Sequence, residues 1–376
     1  MTEYHSPLSM PAYPKSLWRD TVDLPSFESL KVDMKTDVVV VGGGITGITT
    51  AYLLQKEGFE VVLLEAGKVL NGTTGHTTAK ITAQHDIIYD EFISHLGLID
   101  AHRYYEANMK AIEFIEKIVT ENNIECDFKK QDAIIYAATP ESMQRLEMER
   151  DAYEKLEIEY EWLNDIPFDI EVKGALAMKN QAQFHPLLYL KHLLQAFVDN
   201  GGKVFENTTA VDVKEELKPK VVTLKGNLIE CHYVISASHF PFYEFKGGYF
   251  ARFKVERSYL IGMKMKDTFP GGMYISADDP IRSLRSAHID GEEIVLIGGE
   301  NHKTGHESDT MKHYEALERF AKSNFTVEEF KYRWSAQDLT TLDKLPYIGH
   351  ITSNDSSILV AAGYRKWGMT SSRKSF

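Results

Sequence analysis

Three glycines and one glutamate form the pattern with the clearest chemical meaning in this chain. Gly42, Gly44 and Gly47 follow directly after the apolar run Val38–Val41, and Glu65 stands 18 residues beyond Gly47. Strand, glycine turn, helix and second strand then follow one another in the order of a βαβ unit. In such a turn the first glycine permits the bend, the second lets the backbone approach a pyrophosphate, and the third lets the helix lie close to the sheet.

The helix that begins after these glycines would face the phosphates with its free N–H groups and its positive end. A carboxylate at the end of the second strand can accept hydrogen bonds from ribose hydroxyls, which is the role predicted for Glu65. Because both strands, the helix and the acid are present, the stretch 37–65 predicts a dinucleotide site. The alternative is a glycine turn in an ordinary α/β protein.

A second polar stretch, 71–82, is rich in small and hydroxyl-bearing residues and contains one histidine and one lysine. Small residues allow the backbone to approach a planar ligand closely, and hydroxyls can bond to phosphate or to ring heteroatoms. We therefore predict a second ligand-contacting loop here. The alternative is a solvated loop that ends in a helix N-cap.

The bulk composition limits the size of the core and the choice of partners. A chain of 376 residues is too long for a single core, so two domains are expected. The net charge of −13 makes nucleic acid an unsuitable partner. Apolar segments are too short to span a membrane, and the first 18 residues, with three prolines, are unlike a secretory signal. These observations predict a cytoplasmic protein.

The two cysteines, Cys126 and Cys231, are isolated in the sequence. Without a CxxC pair, neither a zinc site nor an iron–sulfur site is predicted within this chain. Buried thiols in a reducing compartment are expected instead.

Hydrophobic periodicity predicts an α/β protein with two interleaved domains. Rossmann-like patterns occur in three separate parts of the chain, and the inserts between them are expected to form an α+β domain around an antiparallel sheet that binds substrate. A cleft between two such domains is the usual place for a ligand. The predicted parts are an irregular arm, 1–35, anchored by 16–19; a Rossmann-like domain, 36–85, 186–240 and 341–376; and a substrate domain, 86–185 and 241–340.

Two local predictions concern the second insert. Asp290-Gly291 is a strong hairpin signal between the predicted strands 281–289 and 293–298. Residues 332–335 are predicted to form a last short strand.

Several longer strings are more specific than the glycine turn. They are Ser16–Arg19, Thr74–Lys80, Gly298–Gly305 and Lys366–Thr370, and further matching segments lie at Ser236–Ser238, Leu345–Gly349 and Gly363–Met369. Together with the βαβ unit they make the chain, over roughly residues 36 to 370, resemble the D-amino-acid-oxidase-like family of FAD-dependent oxidoreductases. Within that family it is most similar to a bacterial subgroup whose members carry a C-terminal Rieske iron–sulfur domain.

The resemblance implies FAD as the cofactor. Pyrophosphate would lie at the glycine turn, the ribose at Glu65, adenine near Val211, and the flavin ring between residues 74–80 and 363–369. The cofactor-binding residues that it implies are Gly42, Gly44, Ile45, Thr46, Gly47, Glu65, Ala66, Thr73, Thr74, His76, Thr77, Val211, Ser236, Ala237, Gly349, Gly363, Trp367, Gly368 and Met369.

The chemistry implied by the family is oxidation of a C–N bond in an amine or amino acid by hydride transfer to flavin. In the family an arginine on the substrate-domain sheet often clamps the substrate carboxylate with two nitrogens. Arg285 is predicted for that role, facing away from Arg282 because the two are three residues apart on one strand. A surface ion pair is the alternative for Arg285, and Tyr274 and His302 are further catalytic candidates with structural roles as their alternative. Lys80 could contact flavin or pair with Asp86, and no general base is assigned.

The C-terminal end departs from the family pattern in two ways. The paired Cys-x-His motifs of a Rieske centre do not occur in the sequence, and the residues after Met369 are unlike the helix that points at the flavin in the family. These departures keep open the alternative of a flavin-binding remnant without turnover. An NAD-linked dehydrogenase is a further alternative, because it would use the same glycine pattern. The electron acceptor is expected to be O₂ or a Rieske-type centre.

Overall fold

The computed structural model describes residues 9–244 and 246–372. Contacts divide the chain into two compact units. The predicted domain boundaries stay a prediction. The division between the two units falls inside the predicted arm 1–35, after Thr21. Unit 1 comprises Met1–Thr21, Thr78–His185 and Glu256–Gln337, and unit 2 comprises Val22–Thr77, Pro186–Val255 and Asp338–Phe376.

The secondary structure of the described residues is numbered in chain order. The α-helices are α1 (Leu17–Asp20), α2 (Ile45–Lys56), α3 (Tyr89–Leu96), α4 (Leu98–Glu121), α5 (Pro140–Lys155), α6 (Pro186–Asp199), α7 (Met311–Asn324) and α8 (Gly368–Ser371). The strands are β1 (Met34–Lys35), β2 (Val38–Val41), β3 (Val61–Leu64), β4 (Lys80–Ile81), β5 (Lys129–Ala137), β6 (Tyr160–Leu163), β7 (Gly174–Gln183), β8 (Lys203–Phe205), β9 (Ala210–Lys214), β10 (Lys220–Thr223), β11 (Leu228–Glu230), β12 (Tyr233–Ser236), β13 (Phe253–Met265), β14 (Met273–Ser276), β15 (Arg282–Ile289), β16 (Glu292–Lys303), β17 (Val327–Thr341), β18 (Tyr347–His350) and β19 (Ile358–Ala362). Short 3₁₀ turns span Thr73–His76 and Tyr249–Ala251.

Unit 2 contains a six-stranded sheet in the order β18-β19-β12-β2-β3-β8. All neighbours are parallel except β18, which runs antiparallel to β19. The valines of β2 are buried on both faces, as expected for a central parallel strand, which explains why the sequence shows an unbroken apolar run. A smaller sheet, β1-β11-β10-β9, completes the strands of this unit. The Rossmann-like prediction is confirmed.

Unit 1 is built on a nine-stranded sheet in the order β17-β13-β16-β15-β14-β5-β7-β4, with β6 paired to β7. β14 and β5 are parallel, whereas the pairs from β13 through β16 and β15 to β14, and the pairs that β7 makes with β4, β5 and β6, are antiparallel. The predicted antiparallel sheet is therefore mixed. One face packs α7 through Tyr314, Leu317 and Ala321 against residues that alternate along the strands.

The second insert contains one confirmed turn and one corrected strand. Asp290 and Gly291 both have positive φ, 51° and 81°, and join β15 to β16 as the hairpin signal predicts. The short strand predicted at 332–335 is wrong in length, because β17 extends over 15 residues. Phe330, Tyr332, Trp334 and Ala336 are buried at every second position, which is the period of a half-buried strand, so the strand extends to both sides of 332–335.

Two bulk predictions can be compared with the structure. Cys126 and Cys231 are buried and free, which confirms the predicted buried thiols, and burial raises the pKa of each to about 12. None of the helices in the described part of the chain combines the length and apolar character that crossing a bilayer requires. The cytoplasmic location stays a prediction.

Candidate cofactor site and candidate active-site residues

The glycine turn after β2 has no room for side chains at two positions. Gly42 has a φ of +115°, and a Cβ atom there would lie 2.5 Å from the carbonyl oxygen of Ala237. A Cβ atom on Gly47 would lie 1.8 Å from the carbonyl oxygen of Gly42. The first glycine therefore permits the turn beside β12, and the third lets α2 pack on the turn, as the spacing predicts.

The carboxylate of Glu65 holds this turn from the end of β3. Its Oε2 accepts a hydrogen bond from the Gly43 amide and its Oε1 accepts one from the Gly67 amide, each at 2.8 Å. Two oxygens with two lone pairs each can accept further hydrogen bonds, so this arrangement is compatible with the predicted ribose contact. The two backbone partners were missed by sequence reasoning, because main-chain amides leave no residue-type signal.

The start of α2 is joined to the second polar loop. The Ile45 amide donates to Thr74 Oγ1 at 3.1 Å, and a Cβ atom on Gly44 would come within 3.2 Å of the same oxygen. Within the loop, His76 Nδ1 lies 2.8 Å from the carbonyl oxygen of Gly72. The first turn of α2 carries no acidic residue that would repel a phosphate. The structure thus brings the first two predicted cofactor segments together within unit 2.

The strand ends predicted to contact the cofactor occupy neighbouring positions in unit 2. The Ala237 amide donates to Val41 O at 2.8 Å, and Ser236 is fully buried. The segment that leads into β9 is bonded to the residue after β3, because the Thr208 amide donates to Glu65 O at 2.9 Å. Val211, on β9, is 41% exposed and therefore has free surface for the predicted contact with adenine.

The C-terminal segment of unit 2 returns to α2. Thr46 Oγ1 donates to the Tyr364 hydroxyl at 3.2 Å, and the Arg365 amide donates to Leu339 O at 2.9 Å. Gly363 has a φ of +79°, and a Cβ atom there would lie 2.7 Å from Thr341 Cγ2. Tyr364 was missed as a site residue, although it stands inside the string that carried the resemblance.

The chain end is described as far as Ser372. A short helix, α8, begins at Gly368, and Thr370 to Ser372 are buried. Trp367 is the N-cap residue of this helix. The charged residues from Arg373 onward lie outside the described residues. Gly349, another predicted cofactor-binding residue, lies on the edge strand β18 and pairs with Val360 of β19.

In unit 1, Arg285 is almost completely buried, at 1% exposure. Its Nη1 donates to the carbonyl oxygens of Thr78 and Ala79, at 3.0 and 2.7 Å, and its Nε donates to Ser286 O at 3.1 Å. Only Nη2 lacks a hydrogen-bond partner among the described residues. A bidentate clamp uses two guanidinium nitrogens in one plane, whereas Nε and Nη1 are bonded to the main chain here. The clamp role of Arg285 stays a prediction.

Arg282 lies on the opposite face of β15, as the three-residue spacing predicts. Its guanidinium packs over the Phe320 ring of α7 and forms an ion pair with Glu300 at 2.5 Å. An ion pair, which is the alternative role given above for Arg285, is therefore formed by Arg282.

Lys80 is buried on β4. Its Nζ donates to the carbonyl oxygen of Tyr274 at 2.7 Å, and within the described residues it forms no ion pair with Asp86. The pKa of Lys80 is lowered to about 7, mainly by burial and secondly by the positive charge of Arg285.

The other two catalytic candidates lie in structural networks of unit 1. The Tyr274 side chain belongs to the apolar core, where it packs edge-on against Phe168. His302 stacks on His313 with ring centroids 4.7 Å apart, and its Nε2 lies 2.9 Å from the Tyr259 hydroxyl. These contacts account for both residues through packing, and their catalytic roles stay predictions.

The fold and the glycine site define a class of protein, and sequence comparison agrees. The family model described as DAO, FAD dependent oxidoreductase, matches residues 37–373. The chain therefore belongs to this family, it is an FAD-dependent oxidoreductase, and its cofactor is FAD. This family membership resolves the choice between FAD and NAD that the glycine pattern left open.

Individual relatives can be named by their similarity. The putative Rieske 2Fe-2S iron-sulfur protein YhfW of Bacillus subtilis (strain 168) is 50% identical over 359 residues, which cover 96% of this chain and 70% of that protein. Gamma-glutamylputrescine oxidoreductase of Escherichia coli (strain K12) is 24% identical over 371 residues, covering 92% and 82%.

Solved structures show the same fold at low sequence identity. Glycine oxidase from Geobacillus kaustophilus matches with a TM-score of 0.74 and 18% identity, covering 90% of this chain and 92% of that one. L-proline dehydrogenase from P. horikoshii also gives a TM-score of 0.74 and 18% identity, covering 91% and 92%. Oxidases and dehydrogenases therefore share this fold.

Proposed function

We propose that this protein oxidises a C–N bond of an amine or amino acid by hydride transfer to FAD. The observation that carries the proposal is the glycine turn of unit 2, where Gly42 and Gly47 cannot accept a Cβ atom and Glu65 fixes the turn. The choice of a C–N bond rests on relatives and structural neighbours whose names specify glycine, L-proline or gamma-glutamylputrescine.

The residues of unit 2 are assigned to parts of the cofactor. The turn from Gly42 to Gly47, with Ile45 and Thr46, would hold the pyrophosphate, and Glu65 with Ala66 would hold the ribose. Thr73, Thr74, His76 and Thr77 would line one side of the ring, and Gly349, Gly363 and Trp367 to Met369 the other. Val211, Ser236 and Ala237 complete the set. The fit is supported by the small residues, and by the Thr74–Ile45 hydrogen bond that fixes the loop against α2.

Bound FAD supplies the acceptor for the hydride. The task of the chain is to hold the substrate carbon in line and to keep water away from it. Among the described residues, Arg285 has one guanidinium nitrogen, Nη2, without a protein partner, and the residue that orients the substrate stays unassigned. Proton removal from the substrate nitrogen needs no dedicated base when the amine enters neutral.

The electron acceptor is proposed to be O₂ or an iron–sulfur centre. The iron–sulfur candidate is favoured by the 50% identity to a protein whose name specifies a Rieske 2Fe-2S centre. Stopped-flow reoxidation of the reduced protein by air separates the two acceptors. Rapid reoxidation supports an oxidase, whereas slow reoxidation supports transfer to another redox centre.

The direct test is anaerobic reduction of the purified flavoprotein. We expect a yellow protein whose visible band is lost on addition of glycine, L-proline or a gamma-glutamylated diamine. A colourless protein that FAD cannot reconstitute would contradict the proposal. A yellow protein that no amine or amino acid reduces would favour the flavin-binding remnant or a different substrate class.

The position of the phosphate site is tested by Gly44→Val. The added side chain would collide with Thr74 Oγ1, which lies 3.2 Å from the position of a Cβ atom. We expect loss of bound FAD with an unchanged circular dichroism spectrum. Gly72→Ala is the matched control, because a Cβ atom there meets nothing within 4 Å. Normal flavin content in the valine variant would show that the phosphate site is misplaced.

A further inference from the structure

Ala79 has a backbone conformation that alanine rarely adopts. Its φ is +58°, its side chain is fully buried, and it stands between Thr78 and the strand β4. A non-glycine residue in this left-handed region costs about 1–3 kcal/mol and persists only where the surroundings impose it. Some group in unit 1 must therefore hold this segment in place.

Arg285 is that group. One nitrogen, Nη1, donates to the carbonyl oxygens on both sides of the strained linkage, those of Thr78 and Ala79, and makes a longer contact of 3.5 Å with the carbonyl oxygen of Phe184. No ion pair joins Arg285 to a carboxylate within the described residues, so its polar interactions with protein are made to main-chain oxygens. An arginine fork whose donors are bonded to the main chain fixes backbone geometry.

Arg285 is itself enclosed by the N-terminal segment of unit 1. Its guanidinium lies over the ring of Trp18, 5.4 Å from the centroid, and Trp18 is fully buried. The Trp18 ring meets the His185 ring edge-on at 4.9 Å, and Thr21 Oγ1 lies 3.0 Å from His185 Nε2. These contacts exclude water from the guanidinium and give it one orientation.

Lys80 places a second cation in the same buried region. Two neighbouring cations without a carboxylate partner repel each other in a medium of low dielectric constant. The ionisable groups around them are His185, whose pKa burial lowers to about 4, Asp127, which favours charged Arg285, and Tyr274, whose pKa burial raises to about 12. At neutral pH Arg285 stays charged, and the charge of Lys80 is therefore sensitive to it.

From these contacts we infer that Arg285 is a positioning residue. It holds Thr78 to Lys80 in the conformation that the adjoining loop 73–77 needs at the flavin. Its charge also influences the charge of Lys80. The inference rests on the proposed function, because only there is loop 73–77 assigned to the flavin ring. It differs from a substrate clamp, since Arg285 acts through the backbone of residues 78 and 79 and needs no contact with the substrate.

The test compares substitutions on β15 in the FAD-loaded protein. Arg285→Met removes the charge and the hydrogen bonds, and Arg285→Lys keeps the charge alone. Arg282→Met is the matched control, because it removes a buried arginine from the opposite face of the same strand. Readouts are the flavin absorption spectrum, the Kd for FAD, kcat, KM and the pH profile of flavin reduction.

For Arg285→Met we expect an altered flavin spectrum and a kcat about 10- to 100-fold lower with a smaller change in KM, as when groups at a reacting centre are misplaced. The limb of the pH profile that reports Lys80 should move to higher pH, because the neighbouring charge is gone. Arg285→Lys should keep the pH limb but not kcat. Arg282→Met should lower Tm and leave the spectrum and the pH limb as in the wild type.

Ala79→Gly keeps the inference testable if Arg285→Met folds poorly. Glycine adopts positive φ without strain, so it should restore part of the Tm lost in Arg285→Met. An unchanged spectrum, kcat and pH limb in Arg285→Met, with only Tm lowered, would overturn the inference. A wild-type protein that binds FAD but is reduced by no amine would overturn the proposed function instead, while the spectrum and the Kd for FAD would still test Arg285.

Discussion

The glycine turn of unit 2 and the Arg285 region of unit 1 solve the same problem, fixing a strained backbone, by different means. At the turn, glycine has no side chain that could clash, and the Glu65 carboxylate accepts hydrogen bonds from two main-chain amides. At Ala79 the strain remains, and a buried arginine donates to two main-chain oxygens. The first solution depends on residues close together in sequence, whereas the second joins residues more than 200 positions apart. The glycine turn therefore tolerates no side chain at Gly42 or Gly47, whereas the contacts of Arg285 form only when the whole of unit 1 is folded.

The largest effect is expected for Gly47→Ala. Its methyl group would lie 1.8 Å from the Gly42 carbonyl oxygen, a distance that no side-chain rotation relieves. α2 must move away from the turn, so FAD retention should be lost, as measured by the ratio of absorbance at the flavin band to that of the protein. A variant that keeps its full flavin content would show that the turn and α2 can shift to accommodate a methyl group without loss of the phosphate site.

Glu149 provides a buried acid in unit 1 to set against Glu65. It is fully buried and accepts hydrogen bonds from the amides of Ile88, Tyr89 and Asp90 at the start of α3. Leaving these amides unpaired in Glu149→Ala should cost about 3 kcal/mol in the free energy of unfolding. Urea denaturation monitored by circular dichroism would measure this loss, and a change below about 1 kcal/mol would show that water replaces the carboxylate.

The pH dependence of stability should carry opposite signs for Glu149 and Lys80. Burial raises the pKa of Glu149 to about 7, so its contribution is present at low pH and is lost as pH rises toward 7. Burial and Arg285 lower the pKa of Lys80 to about 7, so in the folded state it releases its proton more readily, and stability rises with pH above 7. Glu149→Gln should flatten the unfolding free energy between pH 5 and 7, and Lys80→Met should flatten it between pH 7 and 10. Unchanged slopes in both variants would contradict the assignment.

The smallest effect is expected at Thr74. Replacing it with valine keeps the shape but removes the oxygen that accepts from the Ile45 amide. One lost hydrogen bond of about 1 kcal/mol should weaken FAD binding about fivefold. Thr74→Ser, which keeps the hydroxyl, is the control and should bind FAD as the wild type does. Equal Kd values by fluorescence titration for all three proteins would remove this contact from the site.

The glycine turn and the strand before it could be predicted from the sequence for a physical reason. A turn that must exclude side chains leaves glycines at fixed spacing, and a buried parallel strand leaves an unbroken valine run. The resemblance added the distant segments, including the return at residues 363–369. Its extent was confirmed by the family match over residues 37–373.

The catalytic candidates were harder to predict from residue types. Arginine is a residue type that suits a carboxylate clamp, and the alternation along β15 correctly predicted that Arg285 and Arg282 lie on opposite faces of the strand. Only the folded unit shows that its Nη1 donates to the carbonyl oxygens of residues 78 and 79. Main-chain acceptors carry no signature in the sequence, so this role could not be read from the residues.

The sequence by itself therefore determined the βαβ unit and its suitability for a dinucleotide. These depend on local sterics and on periodicity, which a linear pattern records. The tertiary structure alone decided that Glu65 ties the turn to main-chain amides, that Tyr364 reaches α2, and that Arg285 holds Ala79. Such contacts join residues far apart in the chain through backbone atoms that every residue shares, and only folding selects among them.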